Sequence, residues 1–194
     1  DTCNVLFLCG RIALTTYHSV KNLSEDDLVS LQTAVSKGER IMIPFKSIKV
    51  HQMRYANGEN LDLCLLEFPR CIQARQNILK KFAKSQDFQI IESEANVISR
   101  SCYRMTVKQN VSLSTESRDS FALVNEDLEY WKDDECIVIN SFIHYRMLGA
   151  AGLCGSLLSV ENKALNNKLV GLHVAGSGNK TKPDSFAIPL SQEF

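Results

Sequence analysis

Short apolar runs separated by polar or glycine-bearing turns fill most of this 194-residue sequence. Such runs predict β-strands, and the Asn57-Gly58 step between two of them is typical of a tight hairpin turn. So many short strands predict an all-β sandwich or barrel, although the pattern alone does not choose between the two. The predicted strands are residues 5–9, 12–16, 40–44, 48–55, 61–68, 88–98, 101–108, 121–124, 136–142, 156–161, 168–174 and 185–188.

Two segments predict short helices. In residues 24–37, Ser24 can cap an acidic first turn, an apolar stripe follows, and Gly38 ends it. Residues 72–84 follow a proline, and several of their apolar side chains share one face. Because this second helix lies between two strand-rich halves, we predict an N-terminal lobe at 1–70, an interlobe linker at 71–87 and a C-terminal lobe at 88–194.

Composition narrows the classes of function. Lys+Arg and Asp+Glu number 22 each, so the formal net charge is zero, which argues against a globally basic nucleic-acid binder. No apolar run approaches the length of a membrane span, and no secretory signal opens the sequence. The seven cysteines lack zinc-type spacing, and their odd number and the absence of a signal favour free thiols in a reducing compartment. Most of them have apolar neighbours in the sequence, which predicts buried thiols. We therefore expect no metal site.

The five residues Gly152-Leu153-Cys154-Gly155-Ser156 form the first motif that indicates chemistry. Glycines on both sides of the cysteine allow a tight turn that aims the N–H groups of Gly152, Leu153 and Cys154 at one point. A thiolate that attacks a carbonyl needs such donors for the oxyanion that forms. The motif predicts a nucleophile with its oxyanion hole; the alternative is a glycine-rich turn with an incidental cysteine.

The second motif is Gly171-Leu172-His173-Val174-Ala175-Gly176, in which His173 follows Cys154 by nineteen residues. It predicts a strand that carries an imidazole beside the nucleophile turn. Together the two motifs indicate the nucleophile and substrate pocket of a cysteine protease.

A cysteine nucleophile also needs a base and an acid that orients it. His18 follows a strand and suits the rim of a barrel, whereas His51 and His144 are more typical of surface or core histidines. Asp62 lies inside an apolar run, so its carboxylate is expected to be buried and to need a partner such as an imidazole. The alternative is a carboxylate that caps backbone amides, with the fallback acids Glu59 and Glu67.

These motifs resemble the 3C-like cysteine proteases of picorna-like RNA viruses, and the dicistrovirus and iflavirus members most of all. His18, Asp62 and Cys154 lie 44 and 92 residues apart, in an order and spacing similar to chymotrypsin-like proteases. The resemblance implies an all-β fold of two chymotrypsin-like β-barrels with a few short helices. It also implies that these three residues are the general acid/base, the orienting acid and the nucleophile.

The resemblance further implies that the substrate is a viral polyprotein, which is cut after Gln or Glu. It implies that the reaction takes place in the host cell cytoplasm and needs no cofactor. His173 would donate a hydrogen bond to that Gln or Glu side chain, and Tyr145 would keep the His173 imidazole in the required protonation state. The segment Val174-Ala175-Gly176 would pair with the substrate backbone. Gly149 stands where many members carry a threonine that helps to bind the glutamine. This departure leaves the details of specificity open.

Two rival functions remain at this point. A protease-like fold could act mainly as a binding module for RNA or for replication proteins, since some relatives bind RNA through their interlobe linker. Basic residues in the corresponding part of this sequence allow weak RNA binding, although a solvated basic face explains them as well. A serine-protease relative is the lesser rival, because Ser156 lies two residues beyond the nucleophile position.

Overall fold

The computed structural model describes residues 2–33, 40–88, 96–100, 103–106, 117–161, 165 and 168–194. Apart from single 3-10 turns, the elements whose bounds it gives are all β-strands, which confirms the all-β prediction. In chain order they are β1 (Thr2–Cys9), β2 (Ile12–Thr16), β3 (Leu28–Thr33), β4 (Ile41–Pro44), β5 (Lys49–Arg54), β6 (Asn60–Glu67), β7 (Asn96–Arg100), β8 (Tyr103–Thr106), β9 (Ser117–Val124), β10 (Leu128–Lys132), β11 (Glu135–Ile139), β12 (Phe142–Tyr145), β13 (Leu157–Glu161), β14 (Leu169–Gly176) and β15 (Ser185–Pro189).

The strands form two large units and one hairpin. Seven strands make a curled, open sheet in the order β4-β3-β8-β1-β2-β6-β5. Six others close into a barrel in the order β12-β15-β14-β13-β7-β9, and β10 and β11 form a separate two-stranded sheet. The arrangement agrees with the chymotrypsin-like fold, with the difference that the first unit stays open.

The predicted lobe boundaries at 70 and 88 stay a prediction. Strand β8 lies within the segment assigned to the C-terminal lobe, yet it pairs with β1 and β3 of the first sheet. The predicted linker is in contact with both units, because Arg75 bridges to Gly10 and Phe82 bridges to Leu169.

Both predicted helices are wrong. Residues 28–33 form β3 instead, because Val29 and Leu31 point into the first core on alternate positions and the strand pairs with β4 and β8. Residues 34–37 of that prediction lie outside the described residues. In the second segment the chain is irregular, with one 3-10 turn at Leu79–Lys81. Bridges to both lobes replace the hydrogen bonds that a helix would make internally.

Three apolar clusters among the described residues hold the molecule together. One lies under the first sheet, and one fills the closed barrel. The third lies between them, where Leu14 and Leu63 of the first sheet pack in one cluster with Leu157 and Leu172 of the barrel. This shared core fixes one unit against the other, which a site built from both units requires. Among the described residues, no helix has the length and apolar character needed to cross a membrane.

Candidate active site

His18 and Asp62 meet where two neighbouring strands place them side by side. His18 lies in the 3-10 turn that follows β2, and Asp62 lies on β6, which pairs with β2. The imidazole Nδ1 is 2.6 Å from Asp62 Oδ2, and the His18 backbone N–H donates to Oδ1 at 2.8 Å. Both side chains are 3% exposed, so the carboxylate orients the ring with little competition from water.

The two fallback acids lie elsewhere. The Glu59 carboxylate accepts one hydrogen bond from Asn57 in the hairpin turn, and Glu67 accepts from Lys49 on the exposed side of the sheet. Neither carboxylate has a described contact with His18. The partner of the imidazole is therefore Asp62.

A third contact to this carboxylate comes from the β10–β11 hairpin. The Tyr130 hydroxyl donates to Asp62 Oδ2 at 2.5 Å, on the oxygen that also faces His18. Burial and the negative charge of Asp62 raise the pKa of Tyr130 well above its usual range, so the hydroxyl stays a donor. Sequence reasoning missed Tyr130, because β10 is short and none of its side chains is fully buried.

The nucleophile turn has the backbone that its glycines predict. Gly152 and Gly155 have φ angles of 86° and 82°, in the left-handed region that glycine adopts without a steric penalty. The half-buried Cys154 thiol donates to the Val174 carbonyl at 3.4 Å and hydrogen-bonds the His18 imidazole.

The two sequence motifs are joined directly. The Gly155 N–H donates to the His173 carbonyl, and the His173 N–H donates to the Ser156 carbonyl, both at 2.8 Å. The turn therefore continues the sheet formed by β13 and β14.

The protonation of His18 follows from these contacts. Burial lowers its pKa, but hydrogen bonds to Asp62 and Cys154 and the charges of both groups raise the pKa to about 9. The imidazole is thus cationic at neutral pH, and its positive charge lies beside the sulfur atom.

The three predicted oxyanion donors differ in the hydrogen bonds that their N–H groups make. The Leu153 N–H donates to the Ala150 carbonyl at 3.3 Å within the turn, and the Leu153 side chain packs into the barrel core. No acceptor for the N–H groups of Gly152 and Cys154 occurs among the described residues. Because its N–H is already bonded within the turn, Leu153 is a poorer candidate for an oxyanion donor than Gly152 or Cys154.

His173 lies on β14 and is 2% exposed. Its Nδ1 is 2.5 Å from the Tyr145 hydroxyl, which also hydrogen-bonds the Ser99 side chain. Burial, together with the charge of His18, lowers the pKa of His173 to about 4. The ring is therefore neutral at pH 7, and a hydroxyl that donates to Nδ1 leaves its proton on Nε2.

These groups surround a cleft of about 410 Å³. Its walls include His18, Cys154 and His173, the segment Val174-Ala175-Gly176, Gly149 and the hairpin residues Tyr130 to Lys132. A Cβ on Gly149 would lie 2.6 Å from the Gly176 backbone carbon. A side chain larger than that of glycine at this position, such as threonine, would therefore collide with the neighbouring strand.

A family model described as tungro spherical virus-type peptidase matches residues 1–193. The chain belongs to this family of viral peptidases. The match confirms the resemblance to 3C-like viral proteases that the two motifs indicate.

The curated relatives are viral replicase polyproteins. That of Acute bee paralysis virus (strain Rothamsted) is 26% identical over 196 residues, which cover 98% of the chain and 10% of the polyprotein. Those of Cricket paralysis virus and Drosophila C virus (strain EB) are each 22% identical, over 96% and 98% of the chain and 12% of each polyprotein. The peptidase chain thus spans about a tenth of the length of the relatives it matches.

The other histidines of the peptidase lie away from the cleft. His144 Nε2 is 2.9 Å from Asp184 Oδ1, and the ring stacks on Phe186. His51 is exposed, 3.9 Å from Glu67. Among the described residues, no group of histidine, cysteine and acidic side chains could hold a metal ion.

The cysteines of the peptidase divide by exposure. Cys3 and Cys64 are buried, and burial raises the pKa of Cys3 to about 12. The prediction of mostly buried thiols is wrong for Cys71 and Cys136, which are exposed. Cys102 lies outside the described residues. Cys154 alone among the described thiols hydrogen-bonds an imidazole.

Proposed function

We propose that this viral peptidase is a cysteine endopeptidase that processes the polyprotein from which it derives, cutting after Gln or Glu. The observation that carries the proposal is the contact of the half-buried Cys154 thiol with a cationic His18, which Asp62 and Tyr130 hold in place. An imidazolium beside a thiol favours the thiolate, which is the nucleophilic form.

In the proposed reaction, Sγ of Cys154 attacks the carbonyl carbon of the scissile peptide. The oxygen becomes an oxyanion and accepts hydrogen bonds from the N–H groups of Gly152 and Cys154. His18 then gives its proton to the leaving amine as the C–N bond breaks. Water, deprotonated by the now neutral His18, hydrolyses the thioester, and the thiolate–imidazolium pair is restored.

Specificity for the residue before the scissile bond rests on His173 in this proposal. A neutral ring with its proton on Nε2 donates to the side-chain oxygen of Gln without a net charge. Such a ring attracts a Glu carboxylate only weakly, so Gln should be preferred at neutral pH. Residues 174–176 provide a strand end against which the extended substrate can pair.

The decisive experiment is cleavage of peptides that span Gln-Gly and Gln-Ser junctions. Wild-type protein should cut them, Cys154→Ala should not, and Cys154→Ser should be strongly impaired because a serine hydroxyl beside an imidazolium is a poor nucleophile. The exposed Cys136 supplies a matched control, since Cys136→Ala should leave cleavage unchanged.

Alkylation tests the thiol without a substrate. Cys154 should react with iodoacetamide near neutral pH faster than the exposed Cys71 and Cys136, which serve as references in the same molecule. Equal rates, or cleavage that survives in Cys154→Ala, would refute the proposal.

The binding-module rival depends on the basic segment, in which Arg75 is half-buried while Arg70, Lys80, Lys81 and Lys84 are exposed. The Arg75 guanidinium packs over the rings of Phe7 and Tyr103, at 5.9 and 5.2 Å from their centroids, and is therefore turned toward the first core. Salt-sensitive RNA binding without turnover of any junction would favour the module instead.

A further inference from the structure

The first strand of the open sheet reaches across to the nucleophile turn. Asn4 of β1 is 1% exposed, and its backbone N–H donates to the Cys154 carbonyl at 2.8 Å. Its side-chain Nδ2 lies 2.8 Å from the Gly152 carbonyl, 3.1 Å from Ser156 Oγ and 3.3 Å from the Cys154 carbonyl. A single residue of one unit thus binds three of the five residues in the turn of the other.

The backbones of β1 and the turn are pressed together at the same place. A Cβ on Gly155 would lie only 2.0 Å from the Asn4 carbonyl oxygen. That oxygen accepts a hydrogen bond from Thr15 Oγ1 at 2.7 Å. Thr15 belongs to β2 and precedes His18 by three residues. Asn4 therefore contacts both β2, the strand that leads to His18, and the turn that carries Cys154.

The orientation of the Asn4 carboxamide is set by its neighbours. Two backbone carbonyl oxygens face Nδ2, so the flipped amide would place an oxygen against them. Oδ1 has no hydrogen-bond partner among the described residues. An unsatisfied buried acceptor costs stability, so the residue contributes here through its donors.

We propose that Asn4 is a positioning residue for the nucleophile and its oxyanion hole, an inference that rests on the proposed function. By fixing the carbonyls of Gly152 and Cys154, Asn4 holds the peptide groups on both sides of the Leu153–Cys154 peptide. The Ser156 N–H fixes that middle peptide, because it donates to the Leu153 carbonyl at 2.9 Å. The Cys154 N–H then points toward the cleft before substrate arrives, and Sγ keeps its distance from His18.

Asn4→Asp tests the donors with almost no change of shape, because it replaces Nδ2 by an oxygen that faces two carbonyls. Loss of a preorganised oxyanion donor typically lowers turnover by about a hundredfold or more, so we expect kcat to fall by at least about tenfold with KM nearly unchanged. Thr15→Val is the matched control. It removes the hydroxyl that binds the Asn4 carbonyl but leaves the Nδ2 donors, and kcat should stay within about threefold of wild type.

The affinity for a peptide aldehyde of the substrate sequence distinguishes a positioning role of Asn4 from a purely structural one. Its adduct with Cys154 carries an oxygen that uses the oxyanion donors, whereas alkylation by iodoacetamide develops no such charge. In Asn4→Asp, affinity for the aldehyde should therefore fall together with kcat, while alkylation of Cys154 falls much less. If Asn4→Asp does not fold, Asn4→Ser serves in its place, since its hydroxyl is too short to reach the Gly152 carbonyl.

The experiments distinguish a failure of the proposed function from a failure of the role proposed for Asn4. A wild-type protein that cuts no junction refutes the proposed function and this inference with it. A folded Asn4 variant with wild-type kcat and aldehyde affinity refutes the inference alone. So does a variant in which kcat, aldehyde affinity and alkylation fall only in step with the folded fraction.

Discussion

The buried pair of His18 and Asp62 makes the free energy of unfolding depend on pH in a direction that can be measured. Replacing His18 by Gln removes the titrating group and keeps a side chain of similar size. The quantity to follow is the difference in unfolding free energy between wild type and His18→Gln, because the other titrating groups largely cancel in it.

The magnitude follows from the pKa of His18, which rises from 6.5 to about 9 on folding. A rise of roughly 2.5 pKa units corresponds to about 3 kcal/mol. Because the folded pKa lies above the unfolded one, this stabilisation is fully present below pH 6.5 and is lost as the pH rises through about 9. With both side chains 3% exposed, solvent screening reduces the effect little.

Urea unfolding at about pH 6 and about pH 10 measures the difference directly, in reducing buffer to keep the thiols free. It should shrink by about 3 kcal/mol between the two conditions. In a Cys154→Ala background the change should keep its sign and become smaller, because the thiol contributes to the raised pKa. A difference that is flat, or that grows as the pH rises, would show that Asp62 does not hold a proton on His18.

Three further predictions concern neighbouring contacts. Tyr130→Phe removes one donor from the Asp62 carboxylate, a bond worth about 1.5–3 kcal/mol, so kcat should fall by roughly tenfold or more with little change in KM. Tyr55→Phe is its control at the base of the same hairpin, where the Tyr55 hydroxyl accepts from the Asn140 N–H, and equal losses in kinetic assays would contradict the role of Tyr130. Tyr145→Phe removes the donor to His173 Nδ1, so the ratio of kcat/KM for Gln over Glu substrates should fall, and an unchanged ratio would mean that another group sets the tautomer. Gly155→Ala places a Cβ 2.0 Å from the Asn4 carbonyl oxygen, whereas Gly58→Ala meets nothing within 4 Å at a similar φ. The first should abolish cleavage and lower the unfolding free energy by several kcal/mol, the second should cost only about 1–2 kcal/mol, and equal costs in denaturant melts would rule out the packing argument.

Prediction from the sequence succeeded where a residue type by itself requires a particular partner or backbone conformation. A carboxylate inside an apolar run needs a partner, and Asp62 has one in His18. Glycines around a cysteine predict left-handed backbone angles, and Gly152 and Gly155 adopt them. Short apolar runs predicted most strands of both units for the same reason, since a pleated strand with a buried face requires them.

Prediction from the sequence failed where contacts with residues distant in the chain determine the local structure or the role of a residue. The apolar positions around Leu28 and Leu31 fit a helix and a strand alike, and pairing with β8 favours the strand. Asn4 is one polar residue in an apolar strand, and its acceptors lie 148 to 152 residues away. Tyr130 sits on an exposed hairpin, where nothing local indicates that its hydroxyl meets a buried acid.

The place of β8 in the sheet order has a consequence for biosynthesis. Because β8 separates β3 from β1, a ribosome that has released only the first six strands leaves β3 and β4 without their attachment to the remaining strands. The first sheet therefore stays incomplete during synthesis until the later half of the polypeptide has been made and supplies β8. Two separately expressed halves divided between β6 and β7 should stay incomplete alone and recover a native sheet only when mixed.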